Sequence, residues 1–212
     1  MYLTIHDKNR WKMAFTFFFR DTHTLEQVCK YFIPEISGSR WVKIWDAGCA
    51  MGPEPYTFAI ILAEQMSYFG FKNVQIDASD LDETDQFGKI VTNGVYPEME
   101  LKRIPEDIFK KYFIKYDEDN NYQIIDTIRN KLTFHKHDLL TLKPFGANYN
   151  LIICKNVLLH FQPEQRVEVI KMFHSVLEPG GMFTTEQTQQ MPDECKHLFK
   201  QIAADANVYQ KI

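Results

Sequence analysis

Trp41-Val42-Lys43-Ile44-Trp45-Asp46-Ala47-Gly48-Cys49-Ala50-Met51-Gly52 carries the pattern from which the rest of this 212-residue chain can be read. Residues 41–45 are apolar but for one lysine, as in a short strand buried by its neighbours. Gly48 and Gly52 supply the freedom that a tight turn needs, and residues 54–69 place Tyr56, Ala59, Ala63 and Met66 on one helical stripe. Strand, glycine turn and helix in that order form the opening unit of a doubly wound α/β sheet.

Outward from this unit, residues 74–79 read as the next strand, ending on Asp80 and Asp82. A helical segment precedes Gly94 and another helix lies near 105–113. Residues 122–125 and 131–137 read as strands able to pair antiparallel, and 149–154 as a further apolar strand. Residues 163–177 form a helix with Val169, Ile170, Phe173, Val176 and Leu177 inward. Pro179-Gly180-Gly181 turns the chain into a strand at 182–185, and 208–212 reads as the last strand. Upstream, residues 11–19 are aromatic, and Leu25, Val28, Cys29 and Phe32 recur at helical spacing until Pro34 and Gly38 stop them. The alternation predicts one α/β domain over 1–212, with a mostly parallel sheet and helices on both faces. Ligands of such sheets bind beyond the carboxyl ends of the strands. That rule nominates residues 46–52, Asp80, Asp138 and the pair Lys155-Asn156.

Composition narrows the class of function. Hydrophobic residues make up 45% and charged residues 25%, as in a folded soluble domain. A net charge of −4 gives no reason to expect a nucleic-acid partner. Cys29, Cys49, Cys154 and Cys195 are scattered without a C-x-x-C pair, so reduced thiols are expected and no metal. The N-terminus has no secretory pattern, and the longest apolar run, residues 58–63, is far below membrane-spanning length. A cytoplasmic protein without membrane insertion is the expectation.

Two local features point to a ligand. Asp46-x-Gly48-x-x-x-Gly52 between strand and helix allows close approach to the backbone at a helix N-terminus, although an ordinary turn has the same look. Ala50 occupies the middle position of a G-x-G-x-x-G pattern, which argues against a dinucleotide site. Asp80, one strand later, suits two hydrogen bonds from a ribose, or else the N-cap of the next helix. Together these features favour an adenosine cofactor.

At Phe18-Phe19-Arg20-Asp21, at Trp45-Asp46-Ala47-Gly48-Cys49-Ala50-Met51-Gly52-Pro53-Glu54-Pro55-Tyr56 and at Ser79-Asp80-Leu81-Asp82, the chain resembles the CheR-type chemotaxis-receptor glutamate O-methyltransferases. Gly94-Val95-Tyr96, Lys111-Tyr112-Phe113, Asp138-Leu139-Leu140, Cys154-Lys155-Asn156-Val157-Leu158, Pro179-Gly180-Gly181 and Asn207-Val208-Tyr209 continue the resemblance in order. It implies a Rossmann-like class I methyltransferase fold with S-adenosylmethionine as methyl donor and S-adenosylhomocysteine as product. Carried over by position, it places the cofactor around Thr16, Arg20, Ala47, Gly48, Asp80, Asp138, Leu139, Asn156 and Val157. Asp80 would hold the ribose, Asp138 and Leu139 would border the adenine, and Asn156 and Val157 would lie under the methionyl part. Arg20 and His160 would stand near the reacting centre. The acceptor implied is a protein, such as a chemoreceptor's cytoplasmic domain, and residues 117–137 would form the small antiparallel insertion that docks a receptor tail in some members.

The pattern departs from the family at several positions. Gly52-Pro53-Glu54-Pro55 stands where G-E-E-P is usual, which removes one carboxylate that touches the cofactor. Ala14 replaces an Asn, Lys155 an Arg and His160 a Tyr, and no counterpart of the family's helical N-terminal domain precedes Phe18. The departures keep two other readings open: the same fold acting on another protein or a small molecule, and a cofactor-binding module without turnover.

The chemistry implied makes modest demands. A glutamate with a pKa of ~4.3 is already a nucleophile at neutral pH, so no general base is required. Orientation matters more, and the planar fork of Arg20 suits a carboxylate, unless Arg20 only pairs with Asp21 at the surface. His135 and His137 share a strand face but lack a third ligand, so solvated side chains are expected there. Of Phe15, Phe17, Phe18 and Phe19, most are expected in the core.

Overall fold

The computed structural model describes residues 16–212, so Ala14, Phe15 and most of the aromatic stretch 11–19 lie outside the described residues. In chain order the elements are α1 (Thr22–Glu35), β1 (Val42–Ala47), α2 (Pro53–Gln65), α3 (Tyr68–Lys72), β2 (Val74–Asp80), α4 (Phe87–Asn93) and β3 (Val95–Pro97). There follow α5 (Glu98–Leu101), α6 (Glu106–Tyr112), β4 (Phe113–Lys115), β5 (Asn121–Ile124), α7 (Asp126–Arg129), β6 (Leu132–Lys136) and β7 (Tyr149–Ile153). The chain ends with α8 (Pro163–Val176), β8 (Leu177–Thr184), β9 (Phe199–Gln201) and β10 (Val208–Lys211).

The main sheet has the order β6-β2-β1-β7-β8-β10-β9. β6, β2, β1, β7 and β8 run parallel, and β10 is antiparallel to both β8 and β9. Alternation along the strands divides the core between the two faces. Val42 and Ile44 of β1 join α1 and α2 in one cluster, with Ile76, Leu151, Met182 and Val208. Trp45 and Ala47 point the other way and pack with Ile152, Phe183 and Tyr209 against Val169, Ile170 and Phe173 of α8. Each such apolar side chain contributes roughly 1.5–3 kcal/mol by leaving water, so the two faces hold the carboxyl edge rigid. α2 is buried almost all round from Tyr56 to Leu62, as a helix wedged between sheet and insertion must be.

The helix expected over 54–69 ends at Gln65, because Met66 turns extended (φ −98°, ψ 155°) and Ser67 caps a separate short helix by accepting from Gly70 N–H at 3.2 Å. The antiparallel insertion also differs from expectation. Residues 122–125 do form an antiparallel strand, but their partners are β3 and β4, whereas 131–137 do not pair with them. β6 instead runs parallel to β2, from Ile76↔Leu132 to Asp80↔Lys136, as the edge of the main sheet. The small sheet β3-β5-β4 therefore takes only its central strand, β5, from the expected 117–137 span, and β3 and β4 precede that span. Phe134 of β6 fills the space beside Gly88 of α4, where an added Cβ would meet its ring at 2.7 Å. That contact packs β6 against α4. Alternation with period two is the same for either partner, so spacing alone does not choose between them.

Candidate active site

A cavity of about 620 Å³ opens at the carboxyl ends of β1, β2, β6 and β7. That volume lies within the range of small-molecule sites. Of the residues nominated from sequence, Thr16, Arg20, Gly48, Asp80, Asp138, Leu139, Asn156, Val157 and His160 line it. Ala47, the last residue of β1, is buried and belongs to the core cluster behind the cavity wall.

The glycine turn is fixed by β2. Gly48 N–H and Cys49 N–H both donate to Ser79 O, at 2.7 and 2.9 Å, and Ala50 N–H donates to Asp80 Oδ2 at 2.9 Å. Gly48 has φ +97°, and a Cβ there would meet Val157 Cγ2 at 2.1 Å, so the close approach of the loop after β7 requires glycine. Asp80 serves the turn and the cavity together: its other oxygen accepts from Asp82 N–H at 3.3 Å. Burial pushes the Asp80 carboxyl above its ordinary value, with the N–H groups of Ala50 and Asp82 acting the other way. The helix-capping role open to Asp80 falls instead to Asp82, which accepts from Gln86, Phe87 and Gly88 N–H, each at 3.0 Å. Asp138 accepts from Leu140 N–H at 2.9 Å and so sets the wall that Leu139 completes.

Arg20 stands between two residues in the left-handed region, Phe19 (φ 56°) and Asp21 (φ 50°). Such backbone persists only where neighbours over-determine it. Phe19 N–H donates to Thr57 Oγ1 at 3.0 Å, and Thr24 Oγ1 donates to Asp21 Oδ2 at 3.2 Å. The strongest tie is Lys155, whose side chain is 0% exposed and lies 3.2 Å from Asp21 Oδ2 and 3.4 Å from Glu54 Oε2. Asp21 is thus held by Lys155 from the core side. Phe17 lines the cavity, with the guanidinium of Arg20 5.8 Å from its ring centroid and that of Arg103 at 4.0 Å, whereas Phe18 is core and Phe19 packs at its margin. His160 is exposed at the rim, at the end of a short 3-10 turn.

The sequence places Asp46 and Lys155 at the ligand edge without giving either a partner, and Glu54 enters it only as the neighbour of Pro53. In the fold Glu54 lines the cavity and pairs with Lys155, so a carboxylate is present one residue beyond the position where one is missing. Asp46, 1% exposed, has no hydrogen-bond partner on either carboxylate oxygen among the described residues. Burial, then Glu54, raises its pKa well above the ordinary value, against the pull of Lys155. An orphaned buried carboxyl beside the glycine turn suits a cationic group, such as the ammonium of an amino-acid moiety. The residues present therefore fit a ligand with a ribose, a planar base and a cationic tail.

The two strand histidines are less solvated than expected. His135 Nε2 meets Asp77 Oδ1 at 3.0 Å, and its ring stacks on Phe145. His137 Nε2 reaches Lys143 O at 2.9 Å, and this residue also lines the cavity. Among the described residues no cluster of three metal-ligating side chains occurs.

A probable chemotaxis protein methyltransferase of Rhizobium etli is 27% identical over 89% of this chain and 72% of its own length. Chemotaxis protein methyltransferase 2 of Vibrio cholerae is 29% identical over 83% of this chain, which spans 62% of that relative. Of solved structures, magnesium protoporphyrin IX methyltransferase (ChlM) from Synechocystis PCC 6803 with bound SAM has a TM-score of 0.47 and 17% identity, covering 89% of this chain and 76% of that one. The family model of the CheR methyltransferase SAM-binding domain matches residues 14–208. Over that range this chain belongs to the CheR methyltransferase SAM-binding-domain family.

Proposed function

We propose that this protein methylates a glutamate carboxylate on an acceptor protein, with S-adenosylmethionine as donor and a methyl ester as product. The observation that carries the proposal is the placing of Arg20: a guanidinium on the cavity wall, fixed by a left-handed turn that Thr57 and Lys155 hold. The names of the chemotaxis methyltransferase relatives support a protein acceptor, such as a chemoreceptor's cytoplasmic domain. A cytoplasmic location goes with that acceptor, and among the described residues no helix is long and apolar enough to cross a membrane.

When bound, S-adenosylmethionine supplies an electrophilic methyl group on a sulfonium and leaves as the neutral thioether S-adenosylhomocysteine. Asp80 would accept from the ribose, Asp138 would accept from the exocyclic amine of the adenine, and Asp46 would face the methionyl ammonium. Arg20 would grip the acceptor carboxylate through one side of its fork and leave an oxygen lone pair directed at the methyl carbon. No residue need remove a proton, because the attacking group is ionised at neutral pH. Val157, Leu159 and Phe161 give one wall an apolar surface that sheds water, which favours a reaction in which opposite charges disappear. His160 at the rim would donate a hydrogen bond to the acceptor.

Transfer of radiolabelled methyl from S-adenosylmethionine to chemoreceptor cytoplasmic fragments tests the proposal. Base-labile label on glutamate is the expected result. Base-stable label, or label confined to small molecules, would overturn the ester assignment.

A further inference from the structure

Glu186 belongs to no motif and follows directly after β8, at the same carboxyl edge as the cavity. It is 4% exposed, yet it makes no ion pair among the described residues. Oε2 accepts from Asn156 N–H at 2.8 Å and from Thr185 Oγ1–H at 2.7 Å, while Oε1 has no partner among the described residues. Its backbone is staked from the other side, where Asn207 Nδ2 donates to Glu186 O at 2.8 Å and to Gln189 O at 2.8 Å. Burying a carboxylate that meets only one amide and its neighbour's hydroxyl is costly for stability alone, so its value lies in what that amide does.

Asn156 is a left-handed, non-glycine residue with φ 59°, and it turns the chain out of β7 and along the cavity. The next residue, Val157, fills the space in front of Gly48, where an added Cβ would lie 2.1 Å from its Cγ2. Glu186, Asn156, Val157 and Gly48 thus form one chain of contacts that sets the width of the cavity between the loops after β1 and β7. A hydrogen bond from the strained residue's N–H to a buried side-chain oxygen is the natural lock for such a wall.

We propose that Glu186 is a positioning residue that fixes the Asn156-Val157 wall through the Asn156 N–H and thereby sets the fit of the S-adenosyl ligand. The ligand part rests on the function proposed above; the wall part does not. Glu186→Gln keeps an oxygen acceptor in place, whereas Glu186→Ala removes it. Two measurements on the full chain separate the outcomes: amide hydrogen exchange over residues 154–158 without ligand, and calorimetric titration with S-adenosylhomocysteine.

Glu186→Ala should exchange the Asn156 amide about tenfold faster or more and bind S-adenosylhomocysteine about tenfold more weakly. Glu186→Gln should match the wild type in both within about twofold, since the amide oxygen still accepts from Asn156 N–H. Unchanged exchange in Glu186→Ala would overturn the proposal. So would a Glu186→Gln protein in which the Asn156 amide exchanges faster than in wild type by more than that margin, a result that stays decisive if the alanine variant does not fold. Faster exchange with unaltered affinity would overturn the ligand part. If wild-type protein bound no S-adenosylhomocysteine, the proposed function would fall, and the exchange data would still decide whether Glu186 holds the wall.

Discussion

Replacing Lys155 with methionine removes a charge from the centre of the site while keeping most of the side chain's length and volume. Lys155 is fully enclosed between Glu54 and Asp21. The Glu54 side chain is only 15% exposed and has little water to turn to, whereas that of Asp21, at 33%, can be rehydrated. The loss therefore falls mainly on Glu54. Removing one partner of a buried ion pair costs about 3–5 kcal/mol. With Asp21 partly solvated and Arg20 still acting on Glu54, the lower end, ~3 kcal/mol, is expected at pH 8.

The penalty should depend on pH with a definite sign. Burial raises the Glu54 carboxyl above its ordinary value, and Lys155 is the largest influence in the opposite direction. Without Lys155 it rises further, and Asp46, already raised by burial and by Glu54, follows. A carboxyl raised on folding contributes stability that is complete below the unfolded pKa, ~4.3 for Glu, and lost as pH climbs through the folded value. The variant should therefore be closer to wild type at pH 5 than at pH 8, as Glu54 takes up a proton. Urea unfolding of both proteins at the two pH values measures this. Lys155→Met combined with Glu54→Gln should recover most of the loss, because Glu54 then carries no charge to be left unpaired. A penalty of equal size at pH 5 and pH 8, with no recovery in the double variant, would refute the view that these charges form one unit.

Other substitutions probe the walls of the cavity. Asp80→Ala should weaken S-adenosylhomocysteine binding by about 1–3 kcal/mol in calorimetric titration, and unchanged affinity would end the ribose assignment. Arg20→Lys keeps the charge and loses the fork, so methyl transfer should fall far more than cofactor affinity; near wild-type turnover would exclude orientation by Arg20. Gly48→Ala should lower thermal stability and abolish S-adenosylhomocysteine binding, because its Cβ would collide with Val157 at a φ of +97°. Adding Val157→Ala should relieve the collision in part, and a melting temperature for Gly48→Ala alone equal to that of wild type would contradict the contact.

What the sequence made legible follows from the range of the forces involved. The strand, turn and helix at 41–65 and the amphipathic helix at 163–177 are local patterns, so alternation and stripe suffice to find them. The cavity edge followed from a topological rule, and it brought Asp80, Asp138 and Asn156 to one place without knowledge of any contact. The pairing of β6 escapes such patterns because its partner, β2, lies more than fifty residues away, and the ties that choose it, Gln75 to Thr133 and Asp77 to His135, exist only in the fold. Glu186 gave no signal at all. A glutamate after a strand is ordinary, and its importance arises from one backbone amide thirty residues earlier.

The departures from the family pattern take on a different meaning once they share a space. Pro53 removes a carboxylate, and Lys155 exchanges a fork for a point charge; in the sequence these are separate losses about a hundred residues apart. In the fold Pro53 begins α2, where its missing N–H has no helical partner to lose, and it delivers Glu54 on the first turn beside Lys155. A lysine ammonium with three donors can serve Glu54, Asp21 Oδ2 and Asp21 O together, without the planar geometry an arginine would impose. The site therefore keeps a buried cation balanced by two acids, and that cation still holds the turn on which Arg20 stands. The two departures are thus one arrangement of charge beneath Arg20, and replacing either Glu54 or Lys155 alone should disturb the Arg20 turn more than replacing both together.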